Sequence, residues 1–479
     1  MISTFRTLPA AETLANLPAL PDAQVVDDLL FEELRQFKHK IIVLDDDPTG
    51  VQTVHGVSVY TDWTAESIEA GFKEEQPMFF ILTNSRGFTS EETRQVHEDI
   101  AATIQQVSNQ LHQPFILISR GDSTLRGHYP LETEVLRQTL EQQSNRYHDG
   151  EIIMPFFQEG GRYTIEDVHY VLEEETLVPA GQTEFAKDRT FGYAASHLGE
   201  WAEEKSNGVF QADDVVSLSL ADLRQLNLDQ LVDQLMNVHD FNKIIINATD
   251  YVDVKVATIA LIRAMNAGKR FMFRTAAAFT KVIGGVTNRP LLTKKELISG
   301  NGHGGLIMIG SHVKKTTEQL EELKTCPFIH FIEFDVHLVL FPDKFREEIK
   351  RIITTTERLI QSGQTVAVYT KRERLDLGDN QQENELKLSI QISDAVTSIV
   401  SRLHVRPSYI IAKGGITSSD IGTTGLQVKR ATVAGQIKPG IPVWITGEES
   451  KFPNLTYVIF PGNVGSKTTL REVAETLHT

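Results

Sequence analysis

The chain has 479 residues, of which 41% are hydrophobic and 23% charged, and its formal net charge is −17. That length predicts two large domains rather than one core, and the composition is that of a folded protein rather than a disordered one. The negative charge repels phosphate backbones and anionic membranes, so nucleic-acid or lipid binding would need a local basic patch that the sequence does not display.

A single cysteine, Cys326, excludes an intrachain disulfide and any multi-cysteine metal site, and it suits a reducing compartment. No run of 18 apolar residues occurs, and the first residues lack the basic start and apolar core of a secretory leader. The expectation is a soluble, cytoplasmic protein that handles small molecules.

Residues 1–39 read as a polar, partly helical lead punctuated by Pro9, Pro18 and Pro21, packed outside the first sheet. Strand-like runs follow at 41–44, 57–60, 78–83 and 115–119, separated by helical stretches such as 90–110. Strands alternating with helices predict a parallel or mixed α/β sheet.

Three of these runs end alike. The first opens into Asp45, Asp46 and Asp47 and a Pro-Thr-Gly turn; the second into Asn84 and Arg86; the third into Arg120, Asp122, Ser123, Thr124 and Arg126. In a parallel sheet such ends share the carboxyl edge, where α/β sheets bind their ligands. Guanidinium groups grip a carboxylate or phosphate in a two-pronged fashion, and Gly121 and Gly127 let backbone approach a ligand closely. Two readings stay open: a ligand crevice, or a buried ion network in which Arg86 and Arg126 only neutralise the aspartates.

A run at 151–157 reads as a strand. Alternation in 158–171, which carries a Gly pair, Arg162 and His169, suggests a hairpin leading to GQTEFAKD at 181–188. A lone His169 is more often structural than a ligand, and the segment is a candidate lid. Strands near 215–218, 243–247 and 271–273 and a helix over 252–266 complete this half. The mixture of Pro, Gly, Asn and charge over 286–305 predicts a domain boundary near Gly300.

The second half begins with a strand at 305–309 and the turn Gly310-Ser311, whose amides are free to bind an anion at a helix start. Helices at 343–361 and 385–403 and strands at 365–369 and 409–412 follow. The chain then runs through KGGITSSDIGTTGL (413–426), a strand with a tight turn (437–447) and VIFPGNVGSKTTL (458–470). Glycine-bearing turns beside apolar runs suit a nucleotide's phosphates and ribose. GNVGSKT lacks the spacing of a P-loop, and no HExxH, GxSxG or strand-borne GxGxxG motif is present.

Taken together, DDDPTG (45–50), TNSRG (83–87), RGDSTLRGHYPLE (120–132), GGRYTIEDVHYV (160–171), KGGITSSDI (413–421), IKPGIPVW (437–444) and FPGNVG (460–465) resemble the four-carbon acid sugar kinase family from about residue 40 onward. DSTLRG is the most specific string. The resemblance implies a lead at 1–39, a sugar-acid-binding α/β domain at 40–295 and a nucleotide-binding α/β domain at 305–479, with mostly parallel or mixed sheets flanked by helices and the active site in the interdomain cleft. It implies phosphorylation, with ATP and Mg2+, of a hydroxyl of threonate, erythronate, 3-oxo-tetronate or the branched 3-oxo-isoapionate.

On this reading Asp46 and Asp47 are catalytic, and Asn84, Arg86, Arg120, Asp122, Ser123, Thr124, Arg126 and Arg162 bind the acid. Gly310, Ser311, Lys413, Gly414, Gly415, Thr417, Gly462, Asn463, Val464 and Gly465 bind the nucleotide. Metal ligands are unassigned, and nothing decides between a monomer and a homodimer. The sequence departs from the family pattern in several places. Asp45 is extra and Pro48 replaces an aromatic residue, Arg120 replaces a lysine, His128 a frequent asparagine, and Ile416 the acid of a Gly-Gly-Glu-Thr motif. These departures bear on the substrate and on any metal ligand beside the nucleotide. The rival readings are a non-catalytic regulator on the same scaffold and a nicotinamide-dependent dehydrogenase, the latter disfavoured by the missing dinucleotide fingerprint.

Overall fold

The computed structural model describes residues 2–298, 300, 302–373 and 382–478. Ser299 and Asn301, inside the predicted boundary segment, lie outside the described residues. The chain divides into two units, one formed by Met1–Val54 with Asp62–Asn288 and the other by His55–Thr61 with Arg289–Thr479.

The first unit is built on strands β1 (Lys40–Asp45), β2 (Met78–Leu82), β3 (Phe115–Arg120), β4 (Gly150–Met154), β5 (Val216–Leu218), β6 (Asn242–Ile246) and β7 (Phe271–Thr275). Their near-continuous apolar runs, buried along almost their whole length, are those of strands covered on both faces. All pair in parallel, in the order β5-β6-β4-β7-β3-β1-β2. The register puts Asp45 level with Leu82 on one side and Arg120 on the other, and Arg120 level with Thr275. The strand ends therefore form one straight rim.

Helix Ser90–Leu111 opens with a capping box between Thr89 and Glu92, and Tyr251–Asn266 with one between Asp250 and Asp253. In the lead, helix Ala23–Gln36 is capped by Asp22 and tied to Tyr251–Asn266 by Lys255–Asp27 at 2.5 Å and Arg263–Glu33 at 2.7 Å, outside the sheet as expected. A separate antiparallel sheet takes Leu8–Pro9, Thr176–Pro179, Val168–Glu173 and Arg162–Ile165 in that order. The predicted hairpin is present, turning at Glu166 and Asp167, both with positive φ.

One strand is not where the sequence suggests. Ser58–Tyr60 pairs antiparallel with Arg430–Thr432 in the second unit rather than with the first sheet. Three residues of strand pattern fix a strand but carry no information about its partner.

The second unit is built on β8 (Leu306–Ile309), β9 (Ile329–Phe334), β10 (Thr365–Thr370), β11 (Tyr409–Lys413), β12 (Arg430–Lys438), β13 (Ile441–Thr446) and β14 (Thr456–Phe460). From Ser58–Tyr60 the order is β12-β13-β14-β11-β8-β10-β9, antiparallel as far as β14 and parallel beyond it. The single strand expected at 437–447 is the second arm of a hairpin, β12 and β13, turned by Gly440 at φ +74°. Edge strand β9, absent from the sequence reading, buries Ile329, Ile332 and Phe334 and leaves His330 and Glu333 exposed. Among the described residues no helix is long and apolar enough to cross a membrane.

Candidate active-site residues

At the rim of the first unit, aspartates and arginines interlock. Arg86 grips Asp46 with Nε and Nη2, each 3.1 Å from a carboxylate oxygen, and lies 3.3 Å from Asp47. Arg120 Nη1 reaches Asp45 at 3.1 Å and Asp46 at 3.4 Å. Burial pushes Asp45 up to about 7 despite Arg120, and raises Asp46 against the pull of Arg86 and Arg120. Asp47 also feels burial, but Arg86 and hydrogen bonds from Thr49 outweigh it and hold the carboxyl below its ordinary value. Its side chain is 18% exposed, against 2% for Asp45 and Asp46. Asp47 is thus the aspartate of the triplet that is both ionised and accessible.

The loops that hold these groups tolerate little change. A Cβ on Gly50 would fall 2.1 Å from the Asp45 carboxylate, and one on Gly121 would fall 1.8 Å from Arg274. Asn84 takes a left-handed conformation, φ 56°, that turns the chain into the Ser85–Gly87 turn carrying Arg86. Behind the rim, Arg274 pairs with Glu132 at 3.1 Å and donates to the Arg126 carbonyl at 3.1 Å, while Ser85 Oγ donates to Glu132 at 2.6 Å. Arg274, missed by the sequence reading, stands at the end of β7, a fourth strand end on the same rim.

The loop after β3 forms the other wall. Arg126 Nε donates to Asp122 at 2.7 Å, and Thr124 Oγ1 donates to the same oxygen. Burial alone would raise Asp122, but Arg126 and Arg86 hold it far below the carboxylate range. His169 is buried with Nε2 2.8 Å from the Ser123 carbonyl and Thr164 at Nδ1, and burial lowers it to about 4; it props the loop as a neutral ring. Tyr193 donates to the Thr124 carbonyl at 2.7 Å. Arg126 and Arg162 sit over the two sides of one aromatic residue, Phe185, at 5.1 and 5.4 Å, and Asp188 lies 3.9 Å from Arg126. Arg162 Nε is buried without a hydrogen-bond partner. Residues 181–188 therefore reach the loop that carries Arg126. Arg86 and Arg120 are bound into the aspartate network, whereas Arg126 pairs with Asp122 and Asp188 and, among the described residues, Arg162 forms no ion pair.

In the second unit a cavity of about 650 Å³ opens at the carboxyl ends of β8, β10 and β11, lined by Gly310, Ser311, Gly414, Gly415 and Thr417. A Cβ on Gly310 would lie 2.3 Å from Thr417 Oγ1, so the two turns touch. Val336, Leu388, Ile392 and Val396 give it an apolar wall, and Ile416, 72% exposed, stands at its lip. Arg372, also lining it, donates to Thr317 at 2.8 Å while its Nε and Nη1 are buried without partners. A free guanidinium edge, glycine turns and an apolar wall fit a nucleotide's phosphates and base.

Lys413 and the 462–465 turn adjoin this cavity without lining it. Lys413 Nζ donates to the Pro461 and Gly462 carbonyls at 2.5 and 3.1 Å, fully buried, and burial lowers it to about 7. Lys315 Nζ donates to the Asn463 carbonyl at 3.3 Å and Gln319 to that of Val464 at 3.0 Å, while Gly465 takes φ +82°. These groups shape the turn beside Ser311 through backbone carbonyls. Among the described residues no group of three or more His, Cys, Asp or Glu is placed to hold a metal ion.

Fold and site define a protein of two α/β units, one with a charged strand-end site and one with a glycine-lined cavity. Residues 41–283 match the family described as a sugar-binding N-terminal domain, and residues 306–470 match a nucleotide-binding C-terminal domain. The chain belongs to the family in which these two domains are joined. Among solved structures, Haemophilus influenzae protein HI1011, of the DUF1537 family, is similar with a TM-score of 0.61 and 15% identity, over 91% of this chain and 100% of that one. A protein described as a putative tRNA synthase from Salmonella typhimurium LT2 is similar with a TM-score of 0.65 and 13% identity, over 91% and 98%. At these identities the likeness shows a shared fold. No curated protein matches the chain.

Proposed function

We propose that the protein is a kinase that transfers a phosphoryl group from ATP to a hydroxyl of a small sugar acid, four-carbon or branched, such as threonate, erythronate, 3-oxo-tetronate or 3-oxo-isoapionate. The observation that carries this is the juxtaposition, in the sugar-binding domain, of one accessible carboxylate, Asp47, with arginines at Arg126 and Arg162 that the aspartate triplet does not consume. A neutral sugar needs no such guanidiniums; an acid sugar does.

ATP supplies the γ-phosphoryl group. Arg126 and Arg162 hold the acid's carboxylate, and the Ser123–Thr124 loop, fixed by His169 and Tyr193, presents hydroxyl and backbone groups to its hydroxyls. Asp47 orients the attacking hydroxyl and accepts its proton as the bond to phosphorus forms and the bond to the ADP oxygen breaks. Orientation supplies most of the rate in such a loose transition state. Asp46, clamped by Arg86, positions its neighbour. In the other domain Arg372 and the 310–311 and 414–417 turns take the phosphates. A magnesium ion accompanying the ATP would neutralise phosphate charge, and no residue of this chain is assigned to hold it.

A coupled ADP-release screen over the four acids tests the proposal. Turnover with at least one acid is expected, and its loss in Asp47→Asn. No ADP release above the ATP-only rate with any acid would sink the reading.

A further inference from the structure

At the opposite edge of the first sheet, where β3 and β7 begin, lies a second cavity of about 430 Å³. The six-residue β3 puts roughly 20 Å, at about 3.3 Å per residue, between this edge and the aspartate rim. The cavity's charge is unlike the rest of the chain. Arg146, Lys269, Arg270, His39 and His148 line it and no carboxylate does, in a protein of net charge −17. These residues come from widely separated parts of the sequence, which is why no basic patch is visible in it.

The nearby carboxylates are already engaged. Glu141 accepts from the His148 backbone at 2.8 Å and lies 3.3 Å from Arg137; Asp149 pairs with Lys269 at 2.9 Å and accepts from the Arg270 backbone at 2.8 Å. Among the described residues the guanidiniums of Arg146 and Arg270 form no ion pair, although the two residues adjoin, Arg270 Nη1 donating to the Arg146 carbonyl at 2.7 Å. His39 Nδ1 is buried with no hydrogen-bond partner. Burial and the two arginines push His39 below its ordinary value. Glu141 and Asp149 offset part of the charge on Arg270, but like charges gathered around a concave space still cost free energy that a bound anion would relieve.

We propose that this cavity is a second ligand site, separate from the aspartate rim, which binds a small phosphate-bearing anion between the Arg146 and Arg270 guanidiniums. Its volume of about 430 Å³ suits a small metabolite. The competing account is that the cations only complement the carboxyl ends of helices Ser90–Leu111 and Leu131–Ser144, which finish beside the cavity; that account leaves phosphate without effect.

The test is thermal unfolding with inorganic phosphate against chloride at equal ionic strength, on wild type, Arg146→Gln, Arg270→Gln and Arg126→Gln. Phosphate should raise the midpoint of wild type and Arg126→Gln, and the half-saturating concentration should rise at least about tenfold in each cavity variant, the effect of losing one charge-assisted contact. Arg146 is exposed and contributes only its backbone carbonyl to Arg270, so its substitution leaves internal bonding intact. No shift in wild type, an unchanged response in both cavity variants, or a response lost only in Arg126→Gln would overturn the proposal. Glycerol 3-phosphate in a parallel titration separates the sources: tighter binding than inorganic phosphate identifies a phosphate monoester, and equal binding a free-phosphate site.

Discussion

The two sheets end in opposite chemistries. Strands β1, β2, β3 and β7 of the first unit deliver Asp45 to Asp47, Arg86, Arg120 and Arg274 to their carboxyl edge. Strands β8 and β11 of the second deliver Gly310-Ser311 and Gly414-Gly415. Fixed charges need partners before they can be buried, so the first rim is a network whose members hold each other in place, with Asp47 the most exposed carboxylate of the triplet. Glycine turns need no partners, so the second rim offers backbone amides, and the buried Lys413 ties down a neighbouring turn. On the proposed function the first arrangement would discriminate by geometry of charge and the second would accept a common phosphate chain, the division of labour expected of a substrate site and a nucleotide site.

The sharpest way to break this contrast is to remove a charge from the first rim. Arg120→Ala leaves Asp45 and Asp46 buried with one cation fewer, and should cost about 3–5 kcal/mol of stability in urea unfolding. A loss below about 1 kcal/mol would show that the network is not structural. Next in size, Asp47→Asn should lower turnover about 100-fold, ~2.7 kcal/mol, with little change in unfolding. A drop of less than tenfold would remove Asp47 as the proton acceptor and return the role to Asp46.

On the second rim the equivalent lesion is steric. Gly414 has φ +119°, and a Cβ there would stand 3.0 Å from that of Ser311. Gly414→Ala should therefore cost about 1–3 kcal/mol of local strain. Calorimetry should find it as weaker ATP binding, with the affinity for the acid unchanged. Equal weakening of both ligands would mean that the two sites are not chemically independent.

Much of the first rim was legible because charge at the end of an apolar run is a local signal. Asp45, Asn84, Arg86 and Arg126 could be picked out before any register was known. What the sequence could not convey was pairing. Asp45, extra to the family pattern, is the partner of Arg120 because β1 and β3 align level, and Arg274 was passed over because only the pairing of β7 with β3 brings it to the rim. Phe185 and Asp188 reach Arg126 from a loop whose path no periodicity specifies. In the second unit glycine turns announced Gly310, Gly414 and Gly415, yet Arg372, two residues past β10, carried no motif. Lys413 and the 462–465 turn, also read as nucleotide contacts, adjoin the cavity, with Lys413 tying down the start of that turn.

The smallest expected effect concerns that buried lysine. Burial lowers Lys413 to about 7, whereas the unfolded side chain keeps its ordinary value near 10.5. Between these values the unfolded state binds more protons than the folded state, so the lysine makes stability rise with pH from about 7 upward. Wild type should therefore gain about 1 kcal/mol relative to Lys413→Met between pH 7 and pH 8, measured by urea unfolding at the two values. The carbonyls of Pro461 and Gly462 act in the other direction, since they accept from the charged ammonium and favour it. If they prevail, the two proteins will show the same pH slope, and the second rim will hold a true fixed charge after all, which would narrow its contrast with the first.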